Sequence, residues 1–366
     1  MTGYPQTDDE LDDIFGAPEP ARPRVVGAIP YTPREVAEAM REELPSADEM
    51  SREQYLEAVS LLHTDTTVYP QFPWPDLAAL SGPMVPEDLI LIAARTGGGK
   101  SLFLQNLFDA LIEAGRFGLY AGLEQTPRIL RIKWACMRAA VPPRLMLATR
   151  PEERGGPVWQ DAMTRVQEEL KWQISPPIKL RAHFAGTCKI DRRLLREWTE
   201  WAVDQGCGFV VIDHVDRIDH GDGRNPFHEL SETIRLAKEL AVEHRIVMLM
   251  ATQVGRPADA LSAFMPPALH ELRGAGTKEE EADTVLGIYR PLRPDVTDDE
   301  LKRVRQALLP RDAVIEPNVM GIQLLKHRLD GVVAHQTVKL SVDRGRVLHL
   351  PEKDRYATTY DGQRRI

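Results

Sequence analysis

Lys100 and Ser101 close a glycine-rich run, Ala94-Arg95-Thr96-Gly97-Gly98-Gly99-Lys100-Ser101, whose residue types and spacing suit a phosphate cradle. Glycines let successive backbone N–H groups converge on phosphate oxygens. A lysine at the end of the run neutralises β- and γ-phosphates, and the serine hydroxyl after it is a ligand for Mg²⁺. Arg95, Thr96, Gly97, Gly98, Gly99, Lys100, Ser101 and Leu102 are therefore the expected contacts for ATP, with Ser101 also a metal ligand. Ala94 departs from the usual pattern, which has glycine there.

Three other apolar runs end in groups that would serve the same site. Phe209-Val210-Val211-Ile212-Asp213 ends in a carboxylate able to hold Mg²⁺ through water. Leu119-Tyr120-Ala121-Gly122-Leu123-Glu124 ends in a carboxylate able to polarise an attacking water. Val247 to Gln253 ends in an amide able to hydrogen-bond a γ-phosphate. Each has a plainer alternative: a cap or turn for Asp213, an acid at the start of the next helix for Glu124, a loop edge for Gln253.

Positioning these groups requires strands that alternate with helices, as a parallel sheet does. Apolar runs place strands at 89–94, 117–122, 178–183, 208–213, 246–252 and 284–289. Helical spacing falls at 100–114, 126–140, 158–172, 190–205 and 226–244, with a polar helix at 297–309. Shorter, partly antiparallel strands are expected at 321–326, 337–342 and 346–350.

Taken in order, Ala94-Arg95 with Gly99-Lys100-Ser101, Leu123-Glu124, Val211-Ile212-Asp213, Thr252-Gln253, Leu272-Arg273-Gly274-Ala275-Gly276, Glu281-Ala282-Asp283, Tyr289-Arg290 and Lys326-His327-Arg328 resemble the motor domain of DnaB-type replicative helicases. The likeness runs from about residue 72 to 350, and the lead-in Phe72-Pro73-Trp74-Pro75-Asp76-Leu77 shares it. It implies an α/β fold: a RecA-like P-loop NTPase core, a mostly parallel twisted sheet flanked by helices, with a C-terminal antiparallel extension. It implies a homo-oligomeric ring, usually a hexamer, with ATP and Mg²⁺ between subunits, 5′-to-3′ movement on single-stranded DNA, and a helicase loader or primase as further partners. By this resemblance Lys100, Glu124 and Gln253 act on ATP, while Lys326 and Arg328 reach into the neighbouring subunit's site. Without it, Lys326 and Arg328 read as two charges on one exposed strand face. Lys133 stands where the family often has an arginine near the phosphates. The segment 254–277 would face a channel, with Arg256, Arg273, Gly274 and Gly276, and more weakly Arg224, gripping DNA phosphates.

The chain also departs from the family. Gly274 replaces an acid and Ala275 a serine, and His214 and Asp216 stand where an aromatic and an amide are usual. Only about 70 residues precede the motor, where DnaB-type helicases carry a globular domain. The expected organisation is a disordered acidic arm over 1–30, linker helices over 31–70, the motor over 71–350 and a tail over 351–366. The linker begins with a capping box, Thr32-Pro33-Arg34-Glu35, and a second capped helix starts at Ser51. Either helix could pack on its own domain or on a neighbouring subunit.

Composition sets the outer bounds. Residues 1–62 hold 14 Asp and Glu against 5 Arg, which accounts for the whole formal net charge of −9. The rest balances, so nucleic-acid contact has to come from a local cluster. No apolar run approaches a membrane span, and the N-terminus does not read as a signal peptide. Cys136, Cys188 and Cys207 are scattered and odd in number, which fits a reducing cytoplasm. A filament-forming recombination ATPase, or an ATP-driven switch or scaffold that does not unwind, are the alternatives to a helicase.

Overall fold

A computed structural model describes residue 59 and residues 68–147, 154–186, 190–218, 226–255, 265–272, 275–290, 318–328 and 337–350. Both linker helices (apart from Val59), the acidic arm, the tail and the 297–309 helix lie outside the described residues.

In chain order the elements are α1 (Pro75–Ser81), β1 (Leu89–Ala94), α2 (Lys100–Glu113), β2 (Gly118–Gly122), α3 (Pro127–Arg138), α4 (Pro143–Leu147), α5 (Pro157–Gln173) and α6 (Pro176–Arg181). There follow β3 (Ala182–Gly186), α7 (Arg192–Asp204), β4 (Phe209–Asp213), α8 (Pro226–His244), β5 (Val247–Gln253), α9 (Ala275–Glu281), β6 (Thr284–Tyr289), β7 (Val319–His327), β8 (Thr337–Asp343) and β9 (Arg346–His349). Among the described residues these strands form one sheet in the order β3-β2-β4-β5-β1-β6-β7-β8-β9. From β3 to β6 all pairs are parallel, and from β6 to β9 they are antiparallel.

Strand alternation divides the core into two layers. On β1, Ile90, Ile92 and Ala94 join Phe103, Leu107, Phe108 and Leu111 of α2 on one face. Leu89, Leu91 and Ala93 join Leu195 of α7 and Ile234, Ala237 and Leu240 of α8 on the other. Both faces of β1 are therefore covered, and all six of its residues are buried, as a central parallel strand requires. Phe108 anchors the first layer, its ring 5.4–5.7 Å from those of Tyr120, Trp134, Phe184 and Phe209. The antiparallel end is pinned back by Asn106 of α2. Its side chain donates to the Gly345 carbonyl (3.0 Å) and accepts from the Val347 N–H (2.8 Å).

One expected strand moves. The run 178–183 is mostly helix: α6 occupies Pro176–Arg181 and the strand starts at Ala182. Ser175-Pro176-Pro177 presets a first helical turn, since proline fixes φ and lacks only an N–H that the first turn cannot use. The helix buries Ile178 and leaves Leu180 exposed, whereas a strand would have set both on one face. Elsewhere among the described residues the expected strands and helices match to within three residues. Among the described residues, no helix is long and apolar enough to cross a membrane.

At the entry to β1, Asp88 accepts the Val85 N–H at 2.8 Å, and burial pushes its carboxyl up to about 7, with the Asp283 charge adding to the effect. The folded chain therefore keeps this proton where an unfolded chain, at the ordinary 3.8, has released it. Stability is fully present below the ordinary value and falls as pH rises toward 7, by on the order of 2–4 kcal/mol. Asp88→Asn keeps an acceptor for Val85 and removes this dependence. Its melting temperature is expected to exceed that of the wild type by more at pH 8 than at pH 5. An equal offset at both pH values would assign the effect to something other than Asp88 ionisation.

Candidate nucleotide site

The strands β2, β4, β5 and β1 are consecutive neighbours and parallel, so their carboxyl ends share one rim. Register aligns Gly122 with Asp213 and Ala94 with Gln253. Glu124 follows β2, Asp213 ends β4, Gln253 ends β5, and the glycine-rich turn follows β1. Open parallel sheets bind ligands at this rim.

The turn is built for close approach. Gly97 and Gly99 have φ of +75° and +100°, a region other residues enter at a cost. A Cβ at Gly98 would stand 2.9 Å from the Arg95 carbonyl, and one at Gly99 2.7 Å from Met320 Cε. The loop runs straight into α2, so the amides of the first turn and the helix dipole face the same space. Ser101 is exposed in that turn. Lys100 Nζ donates to the Ala94 carbonyl at 3.0 Å. Burial pulls this ammonium below its usual range, although the charges of Asp213, Asp216 and Glu124 act the other way. Cradle, ammonium, serine hydroxyl and carboxylates are the donor set that a nucleotide triphosphate with Mg²⁺ requires.

Arg95 does something the sequence did not indicate. Its guanidinium is turned toward Glu271 (2.8 Å) and the Met265 carbonyl (3.1 Å), so its side chain clamps the phosphate turn to the 265–272 segment. Gln253 is also tied to the turn, its Nε2 donating to Thr96 Oγ1. The amide that ends β5 and the glycine-rich turn are thus already in contact.

Asp213 is oriented by Tyr120, whose hydroxyl donates to Oδ2 at 2.7 Å. Burial, then the Asp213 charge, holds that phenol well above its ordinary range, so it stays a donor. Glu124 is half exposed, 2.8 Å from Arg217 and 3.4 Å from His214 Nε2. His214 Nδ1 lies 3.4 Å from Asp216 Oδ2. Asp216 also accepts the Gln253 N–H at 2.7 Å and sits 3.4 Å from the buried Lys278 ammonium. Burial pushes Asp216 up, but His214, Lys278 and the Gln253 N–H outweigh it and hold the carboxyl far below the usual range. Lys133 lies half-buried in α3, and no hydrogen bond or ion pair among the described residues joins it to the turn.

Lys326 and Arg328 are not at this rim. β7 runs antiparallel to β6 with Lys326 opposite Val285, which puts both residues at the amino-end rim of the parallel strands. Lys326 Nζ donates to the Ala282 carbonyl (2.6 Å), and Arg328 contacts Asp283 (2.9 Å) and the Glu280 carbonyl (2.8 Å). Arg224, Arg256, Arg273 and Gly274 lie outside the described residues, while Gly276 belongs to α9. Tyr120, Glu271 and Lys278 escaped the sequence reading. Lys278 lies in a helix, α9, that the sequence reading did not expect, so nothing marked it as buried.

Residues 73–341 match the family model for the DnaB-like helicase C terminal domain. A probable replicative DNA helicase of Trieres chinensis is 25% identical over 223 residues, covering 59% of this chain and 46% of that protein. The replicative DNA helicase DnaC of Bacillus subtilis (strain 168) is 26% identical, covering 56% and 43%. A probable plasmid replicative DNA helicase of Chlamydia psittaci is 23% identical, covering 56% and 42%. The matches thus span less than half the length of these curated relatives. Among solved structures, an isolated ATPase domain superposes with a TM-score of 0.62 at 17% identity, covering 84% of this chain and 100% of that one. A DnaB-like replicative helicase, solved in a study of its interactions with primase, gives 0.62 at 18% identity, covering 87% and 72%. These likenesses establish a RecA-like ATPase fold, and with the family match over most of its length, the chain belongs to the DnaB-like helicase C-terminal domain family.

Proposed function

We propose that this chain is an ATP-driven ring motor that moves 5′ to 3′ along single-stranded DNA and unwinds duplex. Residues 71–350 form the motor, 31–70 a subunit-docking linker, 1–30 an acidic arm and 351–366 a tail. The observation that carries the reading is the division of labour between rims. Phosphate turn, Glu124, Asp213 and Gln253 meet at one end of the sheet. Lys326 and Arg328 project from the other, away from their own phosphate turn, as groups serving a neighbouring copy's nucleotide must.

The chemistry follows from the residues. Turn amides and Lys100 hold the phosphates, and Ser101 and Asp213 offer oxygen ligands to Mg²⁺, which when bound neutralises charge on the β- and γ-oxygens. Glu124 takes a proton from water as its oxygen attacks the γ-phosphorus and the bond to ADP breaks. Gln253 registers loss of the γ-phosphate. Lys326 and Arg328 of the adjoining copy stabilise the transferring group. The 254–277 segment carries the DNA contacts, with Arg256, Arg273, Gly274, Gly276 and Arg224. Partners are further copies of the chain, in a hexamer, single-stranded DNA, and a loader or primase in the cytoplasm. The names of the helicase relatives and of the primase-interacting structure support this partner class.

Strand displacement on a forked duplex tests it. With Mg²⁺ and ATP the labelled strand is released from a fork with a 5′ single-stranded tail, and without ATP it is not. Hydrolysis with no displacement would favour a switch or scaffold, and strand pairing without displacement a recombination ATPase.

A further inference from the structure

Lys278 is a fully buried lysine (1% exposed) at the heart of α9, and the proposed chemistry does not use it. Its ammonium lies 3.4 Å from Asp216 Oδ1 and donates to Thr252 Oγ1. The other Asp216 oxygen accepts the Gln253 N–H at 2.7 Å and lies 3.4 Å from His214, whose far nitrogen is 3.4 Å from Glu124. One carboxylate therefore touches three separate parts of the molecule: the end of β5, the turn after β4 and α9.

Such a pair is a costly way to hold a helix. Removing two charges from water is unfavourable, and well-packed neutral residues often stabilise as well. What an ionic pair adds is a directional tie that breaks as a unit. Here one end of the tie is the amide backbone of Gln253 and, through His214, the neighbourhood of Glu124. The other end is α9, which begins within the 254–277 segment and packs on its far side against α8, with a Thr277–Ser231 hydroxyl contact at 2.9 Å.

We propose that Asp216 and Lys278 are a positioning pair that locks α9 to the nucleotide-sensing end of β5, so that they set how strongly single-stranded DNA accelerates ATP hydrolysis. This rests on the motor reading above and names the link between its two sites. A shift of Gln253 displaces Asp216, which carries Lys278 and the DNA-facing segment with it. Contact with DNA runs the same linkage backwards, since coupling between two sites is reciprocal.

The test uses the full chain as wild type, Lys278→Met, Asp216→Asn, the double variant and Lys278→Arg. Each is assayed for steady-state ATP hydrolysis with and without a poly-dT oligonucleotide, alongside thermal melting. Both single variants are expected to lose at least fivefold in the ratio of DNA-stimulated to unstimulated kcat, with KM for ATP within twofold. Lys278→Arg recovers part of the ratio. The double variant, which no longer buries a lone charge, melts near the wild type but keeps the low ratio, and it carries the test if a single variant fails to fold. A double variant with both wild-type melting and the wild-type ratio would show a purely structural pair and overturn the proposal. A wild-type ATPase indifferent to the oligonucleotide would instead overturn the motor reading, and the pair's role with it.

Discussion

Arg328→Ala is expected to cut ATP hydrolysis by the assembled protein about 10³-fold, the lower end of what an arginine supplied in trans contributes, because Lys326 remains beside it. The loss is expected to be recovered by mixing with a second inactive variant, Glu124→Gln. In mixed rings some boundaries place an intact Glu124 from the first variant against an intact Arg328 from the second, and those boundaries are complete. Geometry makes the prediction sharp, because β7 carries Arg328 to the rim opposite its own phosphate turn. A ring of head-to-tail contacts joins two different surfaces of the protomer, and the prediction takes this rim as the one that meets the next copy's site. Within one protomer the guanidinium is occupied by Asp283 (2.9 Å) and the Glu280 carbonyl (2.8 Å), yet it is half exposed. Asp283 is buried, but the guanidinium reaches it from the exposed side and can leave it as long as the carboxylate keeps other partners. Asp283 does not suffer from the exchange: it keeps Lys238 and the Leu89 N–H, both at 2.8 Å. The variant should therefore melt within a few degrees of the wild type. Steady-state hydrolysis of each variant alone and of the mixture is the measurement. Unchanged hydrolysis in Arg328→Ala, or no recovery on mixing, would end the trans assignment.

In the parallel half of the sheet β1, β2, β4 and β6 were legible because they are buried on both faces and read as nearly unbroken apolar runs. Residues 89–94, 209–213 and 284–289 leave little else to be. The site was legible for a related reason. A group that must stand at the carboxyl end of a buried strand is the first polar residue after the run, as Asp213 is, or follows it closely, as Gln253 does. Residues 178–183 misled because Ile178 and Leu180 are apolar at strand spacing, while the paired prolines ahead of them decide the local backbone. The contacts of Arg95 with Glu271 and of Asp216 with Lys278 were hidden for a different reason. They join residues 176 and 62 positions apart, and neither periodicity nor spacing reports which charge will face which across a folded rim. Asp216 was visible only as a departure from the family pattern, and its meaning came with its partner. Lys326 and Arg328 were the reverse case. Their spacing alone suggested a solvated strand face, and the topology puts them at the rim opposite the phosphate turn.

Glu124→Gln is expected to lower kcat for ATP by about 10²- to 10⁴-fold while leaving ATP affinity within a factor of a few. The change keeps size and hydrogen-bonding reach and removes only the ability to accept a proton. The competing reading, an acid that serves the start of α3, predicts a small drop in melting temperature and unaltered hydrolysis. Contacts favour the catalytic reading. Thr126 occupies the cap position and Pro127 opens the helix, whereas Glu124 contacts Arg217 at 2.8 Å and lies 3.4 Å from His214, across from β4. Arg217 is mostly exposed, so this contact is weak and yields to water at the γ-phosphate. His214 is more enclosed and limits how far the carboxylate can swing, which keeps it near Asp213 and the turn. Binding of a fluorescent ATP analogue gives the affinity, and single-turnover hydrolysis gives the chemical step free of product release. A loss of less than tenfold in that step would remove Glu124 from the chemistry. The proton would then have to pass to another acceptor at the rim, and Asp216, already held by Lys278 and Gln253, is poorly placed to take it.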